Sequence, residues 1–472
     1  MLKPPSDEST ARLYAWIDDH TDEMVASLQG VLRIPSLEAA AEAGAPFGAE
    51  VKRALAFTLA HAAELGFRTK DVDGFAGHAE FGEGDEMVAA VGHLDVVPEG
   101  DGWKHAPYGA TIEDGYIYAR GSSDDKGPTW AALYGACALL NSGLPLRRRV
   151  RVIFGCNEES GFQCVHHYWE VAREERPVFA FTPDAGFPLV YAEKGIANIV
   201  LHYASQPAEC DLCVTSLSGG RRPNMVPDSA DAVLAGSAEA VASAAAALDA
   251  LGAEGVTSTV EHAELKVHAV GKSAHGSRPM DGVNAVIRLA DALLHLALPA
   301  DEKWLRFLVD ASGPDGTGLG IAGSDEVAGE LTSNLGIFEF TRQNGALATW
   351  NIRYPVTWSI QRVSSAAMAA GATAGWNLHQ VHDQPPLYVP LDKEPVSTLL
   401  RVYREATGDE ESQPRTMGGG TYARATPNAV AYGAGFPGGS DGPAHEPDER
   451  IAISTVVDAA KVFAVALYEL AR

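Results

Sequence analysis

The sequence predicts an α/β layer with a largely buried sheet, interrupted by an inserted domain of half-exposed strands. Three observations carry that reading. Helix-like and strand-like stretches alternate through the first third of the chain, as they do where helices cover a sheet. From about Gly195 the strands instead alternate apolar and polar residues, the pattern of a sheet with one wet face. After Pro390 a helix, a glycine run and a long helical tail return to the first texture.

In order, "EVKRALAFTLAHAAELGF" has helical spacing. The stretches "MVAAVGHLDVV", "TIEDGYIYARG" and "RRVRVIFGCNEES" read as strands, with "TWAALYGACALLNSG" a helix among them. "PVFAFTPDAG" adds a short apolar strand ending in Asp184. "GIANIVLHYAS" and "HAELKVHAVGKSAHG" carry the alternating texture, which persists to "GALATWNIRYPVT". The Ala-rich "SADAVLAGSAEAVASAAAALDALGA" between the first two is helix-prone. "VHDQPPLYVP" (residues 381–390) reads as a linker. The expected organisation is a first domain over 1–191, an inserted domain over 192–383, and the return of the first domain over 384–472.

At 472 residues the chain exceeds what one core organises, which agrees with this division. A net charge of −26, spread along the chain, argues against nucleic acid and anionic membranes as partners. "MLKPPSDESTARLYAWIDDH" shows no apolar leader core, and no apolar run reaches the ~18 residues that span a bilayer. A cytoplasmic protein is expected. The cysteines Cys137, Cys156, Cys164, Cys210 and Cys213 then read as reduced thiols. Cys210 and Cys213 form a C-x-x-C without the second pair of a zinc ribbon.

Metal-type ligands fall at strand ends or in loops: His93, Asp124, Glu158 with Glu159, Asp184, and His445 in the C-terminal loop. Taken singly, each has an ordinary explanation. Asp124 and Asp125 could cap a helix, a glutamate pair is usually solvated, and a loop histidine is usually surface. Together they lie where α/β folds collect sites. If His93, Asp124, Glu159, Asp184 and His445 hold two divalent cations, three carboxylates oppose four positive charges, and a bridging hydroxide brings the centre to neutrality. Imidazole and carboxylate without thiolate suit catalytic Zn²⁺, Mn²⁺ or Co²⁺. One carboxylate must then bridge, and Asp124 is assigned to it. Neighbours on an extended segment point opposite ways, so Glu159 can bind metal while Glu158 faces water as general base. Asp95, two residues after His93, is positioned to accept the imidazole N–H and fix the ring.

"HLDVVPEGDGW", "RGSSDDKGP", "NEESG", "FTPDAGFPLVYAEKG", "GKSAHGSRP", "GGGTYAR" and "AHEPDE" resemble the M20 family of metallopeptidases, most of all its PepV-like, carnosinase-related dipeptidase branch. The resemblance runs from about residue 10 to 470. It implies an α/β two-metal peptidase domain with a mixed, mostly parallel sheet between helices, interrupted by an α+β lid domain with antiparallel sheets. It places two Zn²⁺ per chain, with Mn²⁺ or Co²⁺ as alternatives, on His93, Asp124, Glu159, Asp184 and His445. It makes Glu158 the base, Asp95 the orienting carboxylate, and the peptide bond after Asp124 cis. From the lid, His275 matches the oxyanion-stabilising residue and Asn224 an asparagine that helps it. Arg353 matches the residue that grips a substrate carboxylate, with Gly418, Gly419 and Gly420 offering backbone N–H groups nearby. Asn351 stands where many relatives carry Asp, which removes the charge expected beside Arg353. The long stretch over residues 204–262 before His275 resembles the enlarged lid through which a chain supplies its own histidine, so a monomer is expected, with a homodimer the alternative.

The activity implied is hydrolysis of dipeptides with a free C-terminal carboxylate by a metal-activated hydroxide. The alternatives are an N-acyl-amino-acid amidohydrolase or carboxypeptidase on the same fold, and a non-catalytic metal-binding protein.

Overall fold

The computed structural model describes residues 2–205 and 210–472. The chain divides into two compact units. One comprises Met1–Ala192, Leu387–Thr416 and Gly420–Arg472, the other Glu193–Pro386 with Met417–Gly419. The run Met417–Gly419, expected in the returning segment, thus groups with the second unit.

The first unit is built on a mixed sheet. Its central strands Arg149–Gly155, Met87–His93, Phe179–Thr182 and Ala429–Ala431 run parallel. Antiparallel strands extend it on both sides, with Arg68–Val72 and Ala76–Phe81 beyond Arg149–Gly155 and Val190–Glu193 beyond Ala429–Ala431. Every residue of Met87–His93 is buried, as a strand covered on both faces requires. The helix Lys126–Ser142, "KGPTWAALYGACALLNS", is small or apolar almost all round and buried along nearly its whole length. The C-terminal helix Ile453–Ala471 packs against it. Because the central strands share a direction, their C-terminal ends lie along one rim. His93, Glu158 and Asp184 leave the sheet there, at or just after three of those strands.

The second unit holds an eight-stranded sheet, antiparallel throughout, in the order Val256–Glu261, Glu264–Val270, Ser229–Gly236, Leu212–Gly219, Thr332–Thr341, Gly345–Tyr354, Gly195–Tyr203 and Trp376–Gln384. Alternate residues of its strands point into one core with the helices Ala238–Leu251, Ala285–Leu294, Glu302–Asp310 and Ile360–Ala374. Fold class thus follows the sequence reading: a mixed α/β layer interrupted by an α+β unit with antiparallel strands.

Several local expectations differ. The Ala-rich stretch is a helix only over Ala238–Leu251. Ser229–Gly236 is a strand, its Ala230, Ala232 and Leu234 facing the core between two partner strands, so tertiary pairing outweighs alanine's helix propensity. Ser237 separates the two by accepting the Ala240 N–H as N-cap. The proline run does carry the chain from the second unit to the first, at Pro386–Leu387, but its ends are structured: residues 381–384 end a strand, and Leu387–Tyr388 joins the sheet of the first unit. "TIEDGYIYARG" is a hairpin, Thr111–Glu113 with Tyr116–Tyr118, to which Arg450–Ala452 adds a third strand. Cys210 and Cys213, read as thiols, are joined in a disulfide, whereas Cys137, Cys156 and Cys164 are free and buried. Among the described residues no helix is long and apolar enough to cross a membrane.

Candidate metal centre

His93 ends its strand with its ring fully buried. Its Nε2 lies 3.0 Å from Asp124 Oδ1 and 4.0 Å from Asp184 Oδ2. Its Nδ1 lies 3.0 Å from the Asp95 carbonyl oxygen and 3.5 Å from Asp95 Oδ1. The nearer partner of the ring is therefore the backbone of Asp95. The Asp95 carboxylate does something the sequence did not reveal: Oδ1 accepts the Glu158 N–H and Oδ2 the Glu159 N–H, each at 3.1 Å.

That pair of bonds corrects the reason given for the two glutamates. Glu158–Ser160 is a turn, not an extended segment. Both amides are pinned on one carboxylate, and the side chains still separate. Glu158 shares a compact ligand set with His93 and Asp184, and Glu159 shares one with His93 and Asp124, the atoms of each set lying within 4.8 Å of one another. His445, on the C-terminal loop, adds Nε2 at 3.0 Å from Asp124 Oδ2 and 3.1 Å from Glu159 Oε1. Asp124 thus stands between two imidazoles, one at each oxygen.

The loop bearing Asp124 is held from below. The Asp124–Asp125 peptide bond is cis. Asp125 occupies the N-cap position of Lys126–Ser142 without capping it. Its Oδ2 instead accepts the His93 N–H at 3.1 Å and the Thr129 hydroxyl at 2.9 Å. Glu449 accepts the Ser123 and Asp124 N–H groups on Oε1 at 2.9 and 3.2 Å, while Oε2 pairs with Arg120 at 2.6 Å. Sequence reasoning missed this pair. Both residues sit in motifs quoted above, "RGSSDDKGP" and "AHEPDE", but nothing local says that they meet. Tyr422 of "GGGTYAR" is buried with its ring 6.1 Å from the His93 ring, edge to face. Gly155 makes room for it, since a Cβ there would collide with the Tyr422 ring and hydroxyl.

Electrostatics show what the cluster wants. Burial, reinforced by Asp124, Asp125 and Glu158, pushes the Asp184 carboxyl well above its usual range. Burial likewise raises Glu158 and Glu159, offset in part by His93 and His445. Hydrogen bonds to Asp124 and Glu159 push His445 up to about 10. Burial would lower His93, but Asp124 and Asp95 outweigh it and raise it well above its ordinary value. Carboxylates crowded in a buried site repel one another, and a divalent cation relieves both the repulsion and the desolvation. Imidazole nitrogens and carboxylate oxygens without thiolate fit a catalytic rather than a structural ion.

The second unit gathers the remaining candidates. Gly276 donates its N–H to the Asn224 carbonyl at 2.7 Å and Val226 to Ala274 at 2.9 Å, so the Asn224 and His275 segments lie side by side. A Cβ on Gly276 would press on the Asn224 backbone at 3.0 Å. The Ser277 N–H points at His275 Nδ1 at 3.3 Å. The same Nδ1 lies 2.7 Å from the Ser277 hydroxyl, so Ser277 fixes the orientation of the ring. Arg353 is only 4% exposed. Its Nε donates to Asn351 Oδ1 and its Nη1 to the Gly418 carbonyl, both at 2.9 Å. Asn351 in turn donates to Asn198 at 2.7 Å, so the neutral amide steers the guanidinium where a carboxylate would otherwise neutralise it. Gly418 also comes near Ser277, the two residues meeting at 3.3 Å from a Cβ built on the glycine. Gly419 groups with it in the second unit, while Gly420 belongs to the first and packs against Arg424.

The profile of Peptidase family M20/M25/M40 matches residues 89–469. The chain belongs to this family. A Bacillus subtilis (strain 168) protein named a candidate dipeptidase, YtjP, is 38% identical over 460 residues, covering 96% of this chain and 98% of that protein. A similarly named Staphylococcus haemolyticus (strain JCSC1435) protein, SH1171, is 34% identical over 468 residues, with the same coverage. Among solved structures, human carnosine dipeptidase 1 aligns with a TM-score of 0.55 at 16% identity, over 98% of this chain and 99% of that one. The dipeptidase Dug1p of Saccharomyces cerevisiae aligns at 0.57 with 14% identity, over 98% of both chains. At such identities the structures share the family's fold with this chain.

Proposed function

We propose that the chain is a metal-dependent dipeptidase that hydrolyses dipeptides bearing a free C-terminal carboxylate. The observation that carries this reading is the convergence of His93, Asp124, Glu158, Glu159, Asp184 and His445 on one rim of a family M20 sheet. The dipeptidase names of its relatives support the substrate class.

His93, Asp124, Asp184, Glu159 and His445 would hold two divalent cations, Zn²⁺ with Mn²⁺ or Co²⁺ as alternatives, which would supply Lewis acidity at the scissile carbonyl. Glu158 takes a proton from the attacking water and passes it to the leaving amine. Asp95 keeps Glu158 and Glu159 in place through their amides. The second unit acts as the lid. His275 offers a ring N–H to the oxyanion, with Asn224 beside it, and Arg353 takes the C-terminal carboxylate as a charge-assisted pair. One chain supplies all of these groups.

A dipeptide library assayed against chelated and metal-reconstituted protein tests the reading. Hydrolysis of free dipeptides that appears only with metal supports it. Turnover confined to N-acylated amino acids removes it.

A further inference from the structure

Beside the ligand carboxylates the first unit holds a cavity of about 250 Å³, bounded by Asp124, Asp184, Ala434, Asp441, Ala444 and Ile451. The alanines and Ile451 make a small apolar floor and wall. Asp441 adds a carboxylate that belongs to neither ligand set. Its Oδ1 accepts the Ala452 N–H at 2.7 Å, and the Thr455 hydroxyl lies 3.2 Å from both carboxylate oxygens. A hydroxyl donates one proton, so Asp441 keeps lone pairs for a further donor.

The proposal rests on the dipeptidase reading of the metal centre. We propose that Asp441 binds the free α-ammonium group of the substrate's N-terminal residue, whose side chain enters the cavity. The ammonium of a dipeptide is two bonds from the scissile carbonyl carbon, so it must sit next to the cations. There it would need a counter-charge, because bound cations would repel it and would occupy the ligand carboxylates. Asp441 supplies that charge in the cavity that Asp124 and Asp184 also line. A neutral acylated nitrogen gains nothing from Asp441, and leaves a carboxylate facing uncharged matter in a recess. The cavity therefore selects free dipeptides over N-acylated amino acids.

The experiment compares the dipeptide cleaved fastest in the library with its desamino analogue, which lacks only the ammonium, on metal-loaded protein. We expect wild type to favour the free dipeptide in kcat/KM by on the order of 10², the usual value of a charge-assisted hydrogen bond in a partly buried site. Asp441→Asn keeps an oxygen for the Ala452 N–H, so that bond survives, and a melting curve checks it. This variant should lose about thirtyfold on the free dipeptide, chiefly through KM, and little on the analogue. Equal losses on both substrates would mark Asp441 as merely structural and overturn the proposal, as would an unchanged preference. If Asp441→Asn does not fold, Ala444→Lys, at an exposed position, places a tethered ammonium in the cavity and should shrink the same ratio. A ratio left at the wild-type value again overturns the proposal. A wild type that cleaves no dipeptide at all defeats the underlying dipeptidase reading instead.

Discussion

Arg120 and Glu449 form an ion pair at 2.6 Å with 1% and 0% of their side chains exposed. The second Glu449 oxygen receives the N–H groups of Ser123 and Asp124. Since Glu449 lies four residues after His445, one carboxylate ties together the loops of two candidate ligands. Glu449→Gln leaves the Arg120 charge buried without its counter-ion, and such a loss costs about 3–5 kcal/mol. Thermal unfolding should show a lowered Tm, and cation affinity should fall with it. The double change Arg120→Met with Glu449→Leu should recover part of the stability but not the affinity, because Ser123 and Asp124 lose their acceptor.

Glu158→Ala should lower kcat by on the order of 10³, within the range for a positioned base, while elemental analysis still finds full metal content. His93→Ala and Asp184→Ala should lose metal along with activity. If Glu158→Ala loses metal in step, its place beside His93 and Asp184 is that of a ligand.

Titration of the chelated protein should saturate at two ions per chain, and added metal should restore activity. Saturation at one ion contradicts a bridging Asp124.

Cation binding should release protons. His445 stands at about 10 without metal and His93 is raised well above its usual value, so both are protonated at neutral pH and must give up those protons to bind. Affinity therefore climbs with pH across the neutral range. The sign for folding follows from the same shift: with the folded value above the unfolded 6.5, the His445 contribution to the metal-free fold is full below pH 6.5 and fades as pH rises toward 10. Calorimetry in two buffers of different ionisation heat measures the release, and identical heats would contradict it.

Amidation of a dipeptide's C-terminus should cut kcat/KM by on the order of 10², since it removes the charge that Arg353 pairs with. Arg353→Ala should cost the free dipeptide as much and the amide little. His275→Ala should lower kcat more than it raises KM, because the oxyanion exists only in the transition state. Mixing His275→Ala with Glu158→Ala should restore no activity if one chain supplies both groups. Recovered turnover would show that the histidine acts across a dimer.

The ligand candidates were legible because histidine and carboxylates at the ends of apolar strands are an expensive arrangement, and the structure brings His93, Asp124, Glu158, Glu159, Asp184 and His445 together. Their support was not legible. Asp95 reads as a partner for a ring two residues away, yet its carboxylate holds amides 63 and 64 residues on. Arg120 meets Glu449 across 329 residues, and no local pattern encodes such a pairing. Ser229–Gly236 misled for the opposite reason: its alanines carry a strong local preference that its two neighbouring strands override.

The strand Ala429–Ala431 lies between Phe179–Thr182 and Val190–Glu193, although the whole Glu193–Pro386 segment separates them in sequence. On a ribosome the sheet of the first unit therefore stays open, with the edge of Phe179–Thr182 unpaired, while the second unit emerges and can fold. His445 and Glu449 come later still. A nascent chain stopped before residue 429 should hold a folded second unit while the candidate ligand set still lacks His445. The long-range closure also makes the first unit the slower of the two to form, and the one in greater need of protection while it waits.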